Sequence, residues 1–303
     1  MNYGADIGRG NVNIVSLNKR IAFESYCGRA RSLDFEDDKT NYIMTIDNNG
    51  YFVGEKAKLE GLSRGFQKKK IDKLRSLPLL LTGIFLTTDV EEVRTNIVTG
   101  TPVSDYKNQR KEIEEFLKGA YKVGMYGSTK SIALENVSVF PEGAGAYFSL
   151  VLNDKGEVVN KELATQKVGM IDIGYKTINL VVFENMKFID KYSFTVNFGM
   201  HQVYNMIYKR LSRAEDITPE QAENIKTGPE YDVLANRIDN DVNKFWGNTS
   251  FKIFLCGGGA HLLGKYFPQF FVMDNPEYAN ANGYFKIAQM LYKPKKLVWE
   301  MPK

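Results

Sequence analysis

The sequence predicts an α/β protein made of two similar halves, and three observations lead to this prediction. The tripeptide Asp-Ile-Gly ends a short apolar strand at residues 6–8 and again, in the second half of the chain, at residues 172–174. Each tripeptide is followed by another strand-forming run, at 12–17 and 177–183. Strand and helix patterns then alternate in a similar order in both halves, which is typical of the α/β class.

Composition agrees with an ordinary globular chain. Its 303 residues allow one large or two medium domains, and 43% of them are hydrophobic and 25% charged. The net charge of +4 is too small an excess to predict nucleic-acid binding by itself.

Features of secreted or membrane proteins are not visible in the sequence. Two cysteines, Cys27 and Cys256, make no disulfide framework and fit a reducing compartment. No N-terminal signal pattern is present, and the most apolar stretch, 77–86, is shorter than the roughly 20 residues of a membrane span. We expect a cytoplasmic protein without a membrane partner, in which the glycosylation sequons at Asn136 and Asn248 have no meaning.

Periodicity and turn residues predict the elements of the first half. In order, these are two strands within 1–17 joined by the Asp6 turn, strands at 19–26 and 41–54 with a hairpin turn at 48–50, a partly helical polar segment at 56–70, an apolar helix at 71–85, a strand at 93–98, a charged helix at 104–119 opened by a Ser or Asp cap, a strand at 132–140 and a small-residue helix ending near 152.

The same reasoning predicts the second half. In order, it contains a strand–turn–strand unit at 167–183, a third strand at 188–196, helices at 199–211, 218–226 and 231–246, a buried strand at 252–256, a small strand at 270–273 and a closing helix at 282–291, before a basic tail. Because no long linker separates the halves, we expect them to meet at a cleft.

A basic cluster lies between the first strands and the apolar helix. Its members are Lys56, Lys58, Arg64, Lys68, Lys69, Lys70, Lys73 and Arg75. The simplest interpretation is a solvated helix face. The alternative is a contact surface for an acidic partner or a neighbouring subunit.

The two Asp-Ile-Gly turns have a chemistry in common. A glycine two residues after an aspartate permits a tight turn and lets a phosphate approach the backbone amides. The aspartate stays at the mouth of the turn, where it can hold magnesium through water. Two such turns predict a nucleotide bound between the halves, although either aspartate alone is also explained as a turn cap.

Other site patterns are weaker. Residues 259–266 approach a Walker A loop, but Tyr266 stands where that loop needs a Ser or Thr hydroxyl for magnesium. The two histidines, His201 and His261, are far apart in sequence and follow no metal-ligand spacing, so we expect structural roles for both.

Five segments together resemble the nucleotide-contact motifs of the actin superfamily. They lie at 6–10 and 172–177 (phosphate loops), 140–144 and 276–284 (connecting segments) and 255–260 (adenosine motif). The aromatic-Ala-Asn-x-x-Gly-aromatic string at 278–284 is the most specific of them. It is similar to prokaryotic actin-like proteins of the ParM and archaeal actin group.

This resemblance implies an actin-like fold, in which two similar ribonuclease-H-like domains flank a nucleotide cleft. Domain I would span 1–164, with the C-terminal helix at 282–303 packing back on it. Domain II would span 165–281.

The resemblance also implies site residues. Glu142 would orient the attacking water or act as general base, and Asp172 would share the catalytic work, although a carboxylate at a helix N-terminus also explains Glu142. Asp6 and Asp172 would hold magnesium through water. The nucleotide contacts would be Asp6, Gly8, Arg9, Gly10, Asn11, Asn13, Gly174, Tyr175, Lys176, Thr177, Gly199, Gly257, Gly258, Gly259 and Ala279.

Two positions depart from the resembled pattern. Asn13 stands where actins usually carry a lysine that touches the phosphates, so Lys176 or Arg9 would have to supply a charge. Tyr175 occupies a loop position where small residues are common, and we expect its side chain to point away from the phosphates. Both ATP and GTP remain open as the nucleotide.

The function implied by the resemblance is a magnesium-dependent, filament-forming ATPase. Its subunits would stack head to tail, a contact that does not close and so builds a filament. Its partners would be itself, a DNA-binding adaptor of the ParR type and, indirectly, plasmid DNA. The alternatives are an actin-like cytoskeletal protein with another role, a small-molecule kinase of the superfamily, and a chaperone-like ATPase.

Overall fold

The computed structural model describes residues 1–31, 43–64, 75–247 and 250–293. Several predicted features lie outside these ranges, so the structure does not test them. They are the start of the helix at 71–85, four lysines of the basic cluster (Lys68, Lys69, Lys70 and Lys73), the sequon at Asn248 and the tail from 294 to 303.

The first sheet has nine strands. Their bounds are β1 Asn2–Ile7, β2 Asn11–Val15, β3 Arg20–Glu24, β4 Cys27–Arg29, β5 Ile43–Ile46, β6 Asn49–Val53, β7 Glu92–Thr101, β8 Gly119–Met125 and β9 Ser128–Pro141. Their order in the sheet is β3-β2-β1-β7-β9-β8-β5-β6-β4.

The second sheet has six strands and repeats the centre of the first. Its bounds are β10 Lys167–Ile173, β11 Ile178–Glu184, β12 Lys187–Phe188, β13 Phe194–Val196, β14 Lys252–Cys256 and β15 Phe271–Val272. The order is β12-β11-β10-β14-β15, with β13 also paired to β11. In each sheet an antiparallel β-meander (β1-β2-β3 or β10-β11-β12) continues into two parallel strands (β7-β9 or β14-β15). The predicted duplication is therefore present in the topology.

Ten α-helices are found in the described residues. Their bounds are α1 Glu55–Leu59, α2 Ser76–Thr87, α3 Val103–Leu117, α4 Ala144–Val151, α5 Lys161–Thr165, α6 Met200–Leu211, α7 Pro219–Glu223, α8 Pro229–Trp246, α9 Ala260–Leu263 and α10 Ala279–Leu291. Short 3-10 turns lie at Asp190–Tyr192, Gly264–Tyr266 and Pro276–Tyr278. None of the helices described has the length and apolar character needed to cross a membrane.

The apolar stretch at 77–86 becomes a buried helix. Within α2, Leu80, Leu81 and Ile84 are completely buried, and they pack in one cluster with the residues of the first sheet. The second sheet has a separate core, which it shares with α6 and α8. A third cluster joins the two halves through α4 and α10. Each half therefore has its own core, and a shared one connects them.

Helices α4 and α10 cross at backbone contact. A Cβ at Gly283 would lie 1.6 Å from the carbonyl oxygen of Gly145, so only glycine permits this crossing. Helix α10 also lies on β1, where a Cβ at Gly4 would lie 2.1 Å from the carbonyl oxygen of Ala281. The C-terminal helix is therefore fixed on the first sheet, and it carries Asn280 to the start of α4.

Some predicted elements differ from the structure. The hairpin turn lies at Asp47 and Asn48, which both have positive φ, rather than at 48–50. Helix α3 begins at Val103 with Pro102 as its N-cap residue, so the predicted Ser or Asp cap is wrong. Strand 188–196 is interrupted by a 3-10 turn, and the closing helix starts three residues earlier than predicted.

Strand β8 and helix α5 were not predicted. Strand β8 buries only Val123 and Met125, and its other residues are polar or small. It forms because the Tyr126–Gly127 turn brings it back along β9, which supplies its hydrogen-bond partners. Tertiary pairing therefore decides this strand, and its own sequence does not.

Candidate functional site

The two Asp-Ile-Gly turns have the same geometry. Asp6 lies opposite Asn13 in the β1–β2 hairpin, and Asp172 lies opposite Asn179 in the β10–β11 hairpin. Each glycine of the tripeptide sits against the backbone across its turn. A Cβ would lie 2.7 Å from the Asn11 carbonyl oxygen in the first turn and 2.8 Å from the Thr177 carbonyl oxygen in the second.

The tips of the two loops meet across the halves. A Cβ at Gly10 would lie 3.0 Å from the Cβ of Tyr175, so the loops are in contact there. Burial lowers the pKa of the Lys176 ammonium, and the positive charge of Arg9 lowers it further. Arg9 and Lys176 therefore act on the same space from opposite loops. Their replacement of the lysine that Asn13 does not supply stays a prediction.

The three predicted carboxylates lie near one buried tyrosine. Complete burial raises the pKa of the Tyr284 phenol well above its ordinary value, and the charges of Asp6, Glu142 and Asp172 raise it further. Burial likewise raises the pKa of the Cys256 thiol, with Asp172 and Asp6 adding to the effect. Carboxylates far apart in sequence are thus brought close enough to act on the same two buried side chains.

Asn280 connects Asp172 to helix α4. Its Nδ2 donates to Asp172 Oδ2 at 2.8 Å, and its Oδ1 accepts the backbone N–H groups of Gly143 and Ala146 at 3.1 and 3.2 Å. Asn280 and Asp172 are 3% and 6% exposed. The Asp172 carboxylate is therefore held in position by a buried amide.

Asn179 has the corresponding role for Glu142. Its Nδ2 donates to Glu142 Oε2 at 2.8 Å, while its Oδ1 accepts from Thr195 Oγ1 at 2.6 Å and from the Val103 N–H at 3.3 Å. The Glu142 N–H donates to the Thr101 carbonyl oxygen at 2.8 Å. Glu142 is 9% exposed and belongs to the first half, so Asn179 fixes it from across the cleft.

Both asparagines were absent from the predicted site. Asn280 is part of the 278–284 string, but only its neighbour Ala279 was predicted as a contact. For Asn179 a signal existed: an asparagine follows the loop aspartate by seven residues in both halves, at Asn13 and Asn179.

The glycine segment after β14 lies beside Asp172. Gly257 has a φ of +83°, and a Cβ there would lie 2.5 Å from Asp172 Oδ1. A Cβ at Gly259 would lie 2.4 Å from Ile173 Cγ2. Gly258 differs, because no described atom lies within 4 Å of where its Cβ would be. The outer glycines thus pack on the second loop, and Gly258 borders open space.

Two other predicted contacts occupy supporting positions. A Cβ at Gly199 would lie 2.6 Å from the Gly174 carbonyl oxygen, so this glycine packs on the backbone of the second loop at the start of α6. Ala279 is 2% exposed and lies in the core cluster shared by the halves. Their predicted contact with a nucleotide stays a prediction.

Arg64 joins the two halves beside the loops. Its Nη1 contacts Glu223 Oε2 at 2.8 Å and its Nη2 contacts Glu24 Oε1 at 2.6 Å. The guanidinium carbon lies 4.7 Å from the ring centroid of Tyr26 and 4.8 Å from that of Tyr175. Burial lowers the pKa of Arg64, but Glu223 outweighs burial and raises it above its ordinary value. We call Arg64, Glu223, Glu24, Tyr26 and Tyr175 the arginine clamp.

The clamp corrects one prediction and accounts for Tyr175. Arg64 is 8% exposed, so the interpretation of the basic cluster as a solvated face is wrong at this residue. The Tyr175 hydroxyl donates to Glu223 Oε1 at 2.7 Å, and His201 Nδ1 lies 3.1 Å from it. The Tyr175 side chain is directed to the clamp.

The weaker site patterns gain no support. Residues 260–266 form α9 and a 3-10 turn, which leaves no phosphate-binding loop of the Walker type. His201 Nε2 lies 2.9 Å from Asn205 Nδ2, and His261 lies 3.4 Å from Glu277 at the surface. Within the described ranges, no group of three or more His, Cys, Asp or Glu side chains is arranged to hold a metal directly.

Family models match both halves of the chain. Residues 4–145 match the family model of the N-terminal domain of actin-like proteins. Residues 170–269 match the C-terminal domain of the archaeal MreB-like actin homologues. The chain therefore belongs to the actin-like proteins, as the five segments predicted.

Solved structures agree with this assignment. A 15-stranded ParM filament from Clostridium botulinum is similar with a TM-score of 0.79 and 24% identity, over 95% of this chain and 98% of that chain. A non-polymerisable quadruple mutant of pCBH ParM gives 0.77 and 25%, over 95% and 99%. An archaeal actin homologue, Ta0583, in complex with ADP gives 0.76 and 18%, over 95% and 99%. These similarities confirm the predicted actin-like fold. No curated protein matches the chain.

Proposed function

We propose that the chain is a nucleotide-dependent, filament-forming ATPase that binds ATP or GTP between its two aspartate loops. The observation that carries the proposal is the pair of equivalent hairpins, which place Asp6 and Asp172 around one buried centre. The ADP complex of the similar archaeal actin homologue supports a nucleotide as the ligand of this fold.

The loops supply the contacts that a triphosphate needs. Turn backbones in which glycine replaces a side chain expose N–H groups to phosphate oxygens. Arg9 and Lys176 approach from opposite loops and add the positive charge. Gly258, which borders open space, leaves room for the flat part of the nucleotide beside β14.

The carboxylates fit a magnesium ion held through water. Magnesium keeps several of its waters and needs only one or two carboxylates together with phosphate oxygens. Asp6 and Asp172 are the two that we propose for this role. The ion would neutralise phosphate charge.

Glu142 is the residue that we propose orients the attacking water. Its carboxylate accepts a hydrogen bond from Asn179 at 2.8 Å and is almost completely buried, so one oxygen is fixed in direction. A fixed carboxylate can accept the proton of a water aligned with the terminal phosphate. Because Asn179 belongs to the second half and Glu142 to the first, this alignment depends on a closed cleft.

Closure connects the nucleotide to assembly. The proposed domains are 1–164 with the C-terminal helix, and 165–281, and the arginine clamp joins them next to the loops. A closed cleft would present a fixed surface for head-to-tail stacking of subunits. The ParM filament among the similar structures supports self-association. We extend the proposal to a DNA-binding adaptor of the ParR type and plasmid segregation, with a cytoplasmic location.

The test is assembly of the purified chain with ATP and magnesium, followed by right-angle light scattering and negative-stain imaging. We expect scattering to rise with nucleotide and filaments to appear on the grid. An unchanged trace together with measurable nucleotide binding would contradict the filament proposal and would favour a small-molecule kinase.

A further inference from the structure

An open cavity lies beside the first loop, on the other side of β1 from Asp6. Successive side chains of a strand point to opposite faces, and Ile7, the residue after Asp6, lines this cavity. Its polar lining comes from Arg9, Ser25, Arg64, Arg75 and Ser76, and no carboxylate is among the described lining residues. The described lining therefore carries three cationic side chains, of which Arg64 is already paired with Glu223 and Glu24.

The start of helix α2 adds to this positive character. The helix has 12 residues, its first turn contains no acidic residue, and the side chain of its N-cap residue Arg75 makes no capping hydrogen bond. Its N-terminal residue Ser76 lines the cavity, so the positive end of the helix dipole lies there. Arg75 is held at the same place, because its Nη2 donates to the Ser25 carbonyl oxygen at 2.8 Å and its Nη1 donates to the Ser63 carbonyl oxygen at 2.6 Å.

Arg64 gives an independent indication of a ligand. Its two Nη groups are engaged by Glu223 and Glu24, but its Nε is buried and has no hydrogen-bond partner in the part of the chain that the structure describes. A buried donor without a partner is costly. Because Arg64 lines the cavity and is 8% exposed, an oxyanion in the cavity can supply the missing acceptor.

We propose that this cavity binds inorganic phosphate at a site separate from the triphosphate position of the nucleotide. A phosphate dianion offers several acceptor oxygens, which suits the guanidinium groups of Arg64 and Arg75, two hydroxyls and a helix N-terminus. Arg9 also lines the cavity, but it is assigned above to the phosphates of the nucleotide. The nearest source of phosphate is the terminal group released by hydrolysis. That source rests on the proposed function, whereas phosphate binding itself does not.

The experiment is equilibrium dialysis of radiolabelled inorganic phosphate against the full chain at constant ionic strength. Three samples are compared: the chain alone, with ADP, and with a non-hydrolysable ATP analogue. We expect saturable binding of one phosphate per chain in all three. Arg75→Gln should weaken phosphate binding about tenfold or more, since it removes a charge-assisted contact, and Arg75→Lys should weaken it less.

The matched control is Arg94→Gln. Arg94 belongs to the same sheet, its side chain is 83% exposed, and it pairs with Glu135 away from the cavity. We expect its phosphate affinity to equal that of the wild type. Thermal melting of each variant shows whether it is folded, and the Arg75→Lys variant keeps the comparison possible where Arg75→Gln does not fold.

Three results would overturn the proposal. They are no saturable phosphate binding by the wild type, equal binding by the folded Arg75 variants, and loss of phosphate only with the ATP analogue. The last would identify the cavity as the place of the nucleotide's own terminal phosphate. A chain that binds no nucleotide would refute the proposed function, but the nucleotide-free sample would still decide the phosphate site.

Discussion

Replacement of Asn280 by alanine tests how the site is held together. The change removes the bond to Asp172 and leaves the N–H groups of Gly143 and Ala146 without their acceptor. A hydrogen bond to a charged group contributes about 1.5–3 kcal/mol, and each neutral bond about 1 kcal/mol. Since all of these groups are buried, we expect the free energy of unfolding to fall by about 3–5 kcal/mol.

The assay is urea denaturation at neutral pH, followed by circular dichroism. The matched control is Asn282→Ala, because Asn282 is half-buried on the same helix and is not part of the network. We expect the control to change the unfolding free energy by about 0.5 kcal/mol or less. Equal effects of the two substitutions would refute the reasoning that Asn280 fixes Asp172.

Three further predictions concern the cleft. Glu142→Gln should lower the rate of phosphate release from ATP about 100-fold or more, while nucleotide affinity and assembly persist because the phosphate contacts remain. Unchanged turnover in a malachite-green assay would exclude Glu142 as the water-orienting group. Glu223→Gln should speed dissociation of a fluorescent nucleotide about tenfold or more, since the charge-assisted bond to Arg64 is weakened. The control, Glu220→Gln on the exposed face of α7, should leave the dissociation rate unchanged. Equal dissociation rates for the two variants would contradict a closing role for the arginine clamp. Burial and Arg9 lower the pKa of Lys176, so the ammonium loses its charge as pH rises through a value below the ordinary lysine range. Nucleotide affinity should fall over that pH range in the wild type and be retained in Lys176→Arg, whose guanidinium stays charged. A parallel loss of affinity in both proteins would count against Lys176 as a phosphate contact.

The parts of the fold that depend on local chemistry could be predicted from the sequence. The turn after Asp172 needs Gly174 because a Cβ would meet the Thr177 backbone, and this need is visible in the residue types themselves. The apolar runs before and after each turn predicted both central hairpins, β1–β2 and β10–β11. The duplication followed from finding the same pattern twice.

The parts that depend on distant partners could not be predicted. Strand β8 buries two side chains and needs β9 as its partner, so its own sequence does not predict it. Arg64 belongs to a run of lysines and arginines, and its burial depends on Glu24 and Glu223, which come from other parts of the chain. The position of Arg64 in the site therefore depends on ion pairs with both halves of the chain.

The asparagines of the site show the same limit. Asn179 and Asn280 bond carboxylates that lie 37 and 108 positions away in sequence, so neither contact could be predicted, although the repeated spacing of Asn13 and Asn179 marks Asn179 as a candidate. Sequence reasoning predicted the neighbouring glycines and Ala279 as contacts instead, because small residues indicate a close approach of the backbone. The amides that orient the carboxylates needed the structure.

The most direct test of the nucleotide cleft is isothermal titration calorimetry of ATP into Asp172→Asn, with and without magnesium. This substitution removes the charge but keeps an oxygen that can accept from Asn280. We predict an affinity at least about tenfold weaker than that of the wild type in magnesium, and a much smaller difference in EDTA. The control, Asp190→Asn, changes an exposed aspartate of the same half and should bind like the wild type. Unaltered binding by Asp172→Asn in magnesium would contradict the two-loop site.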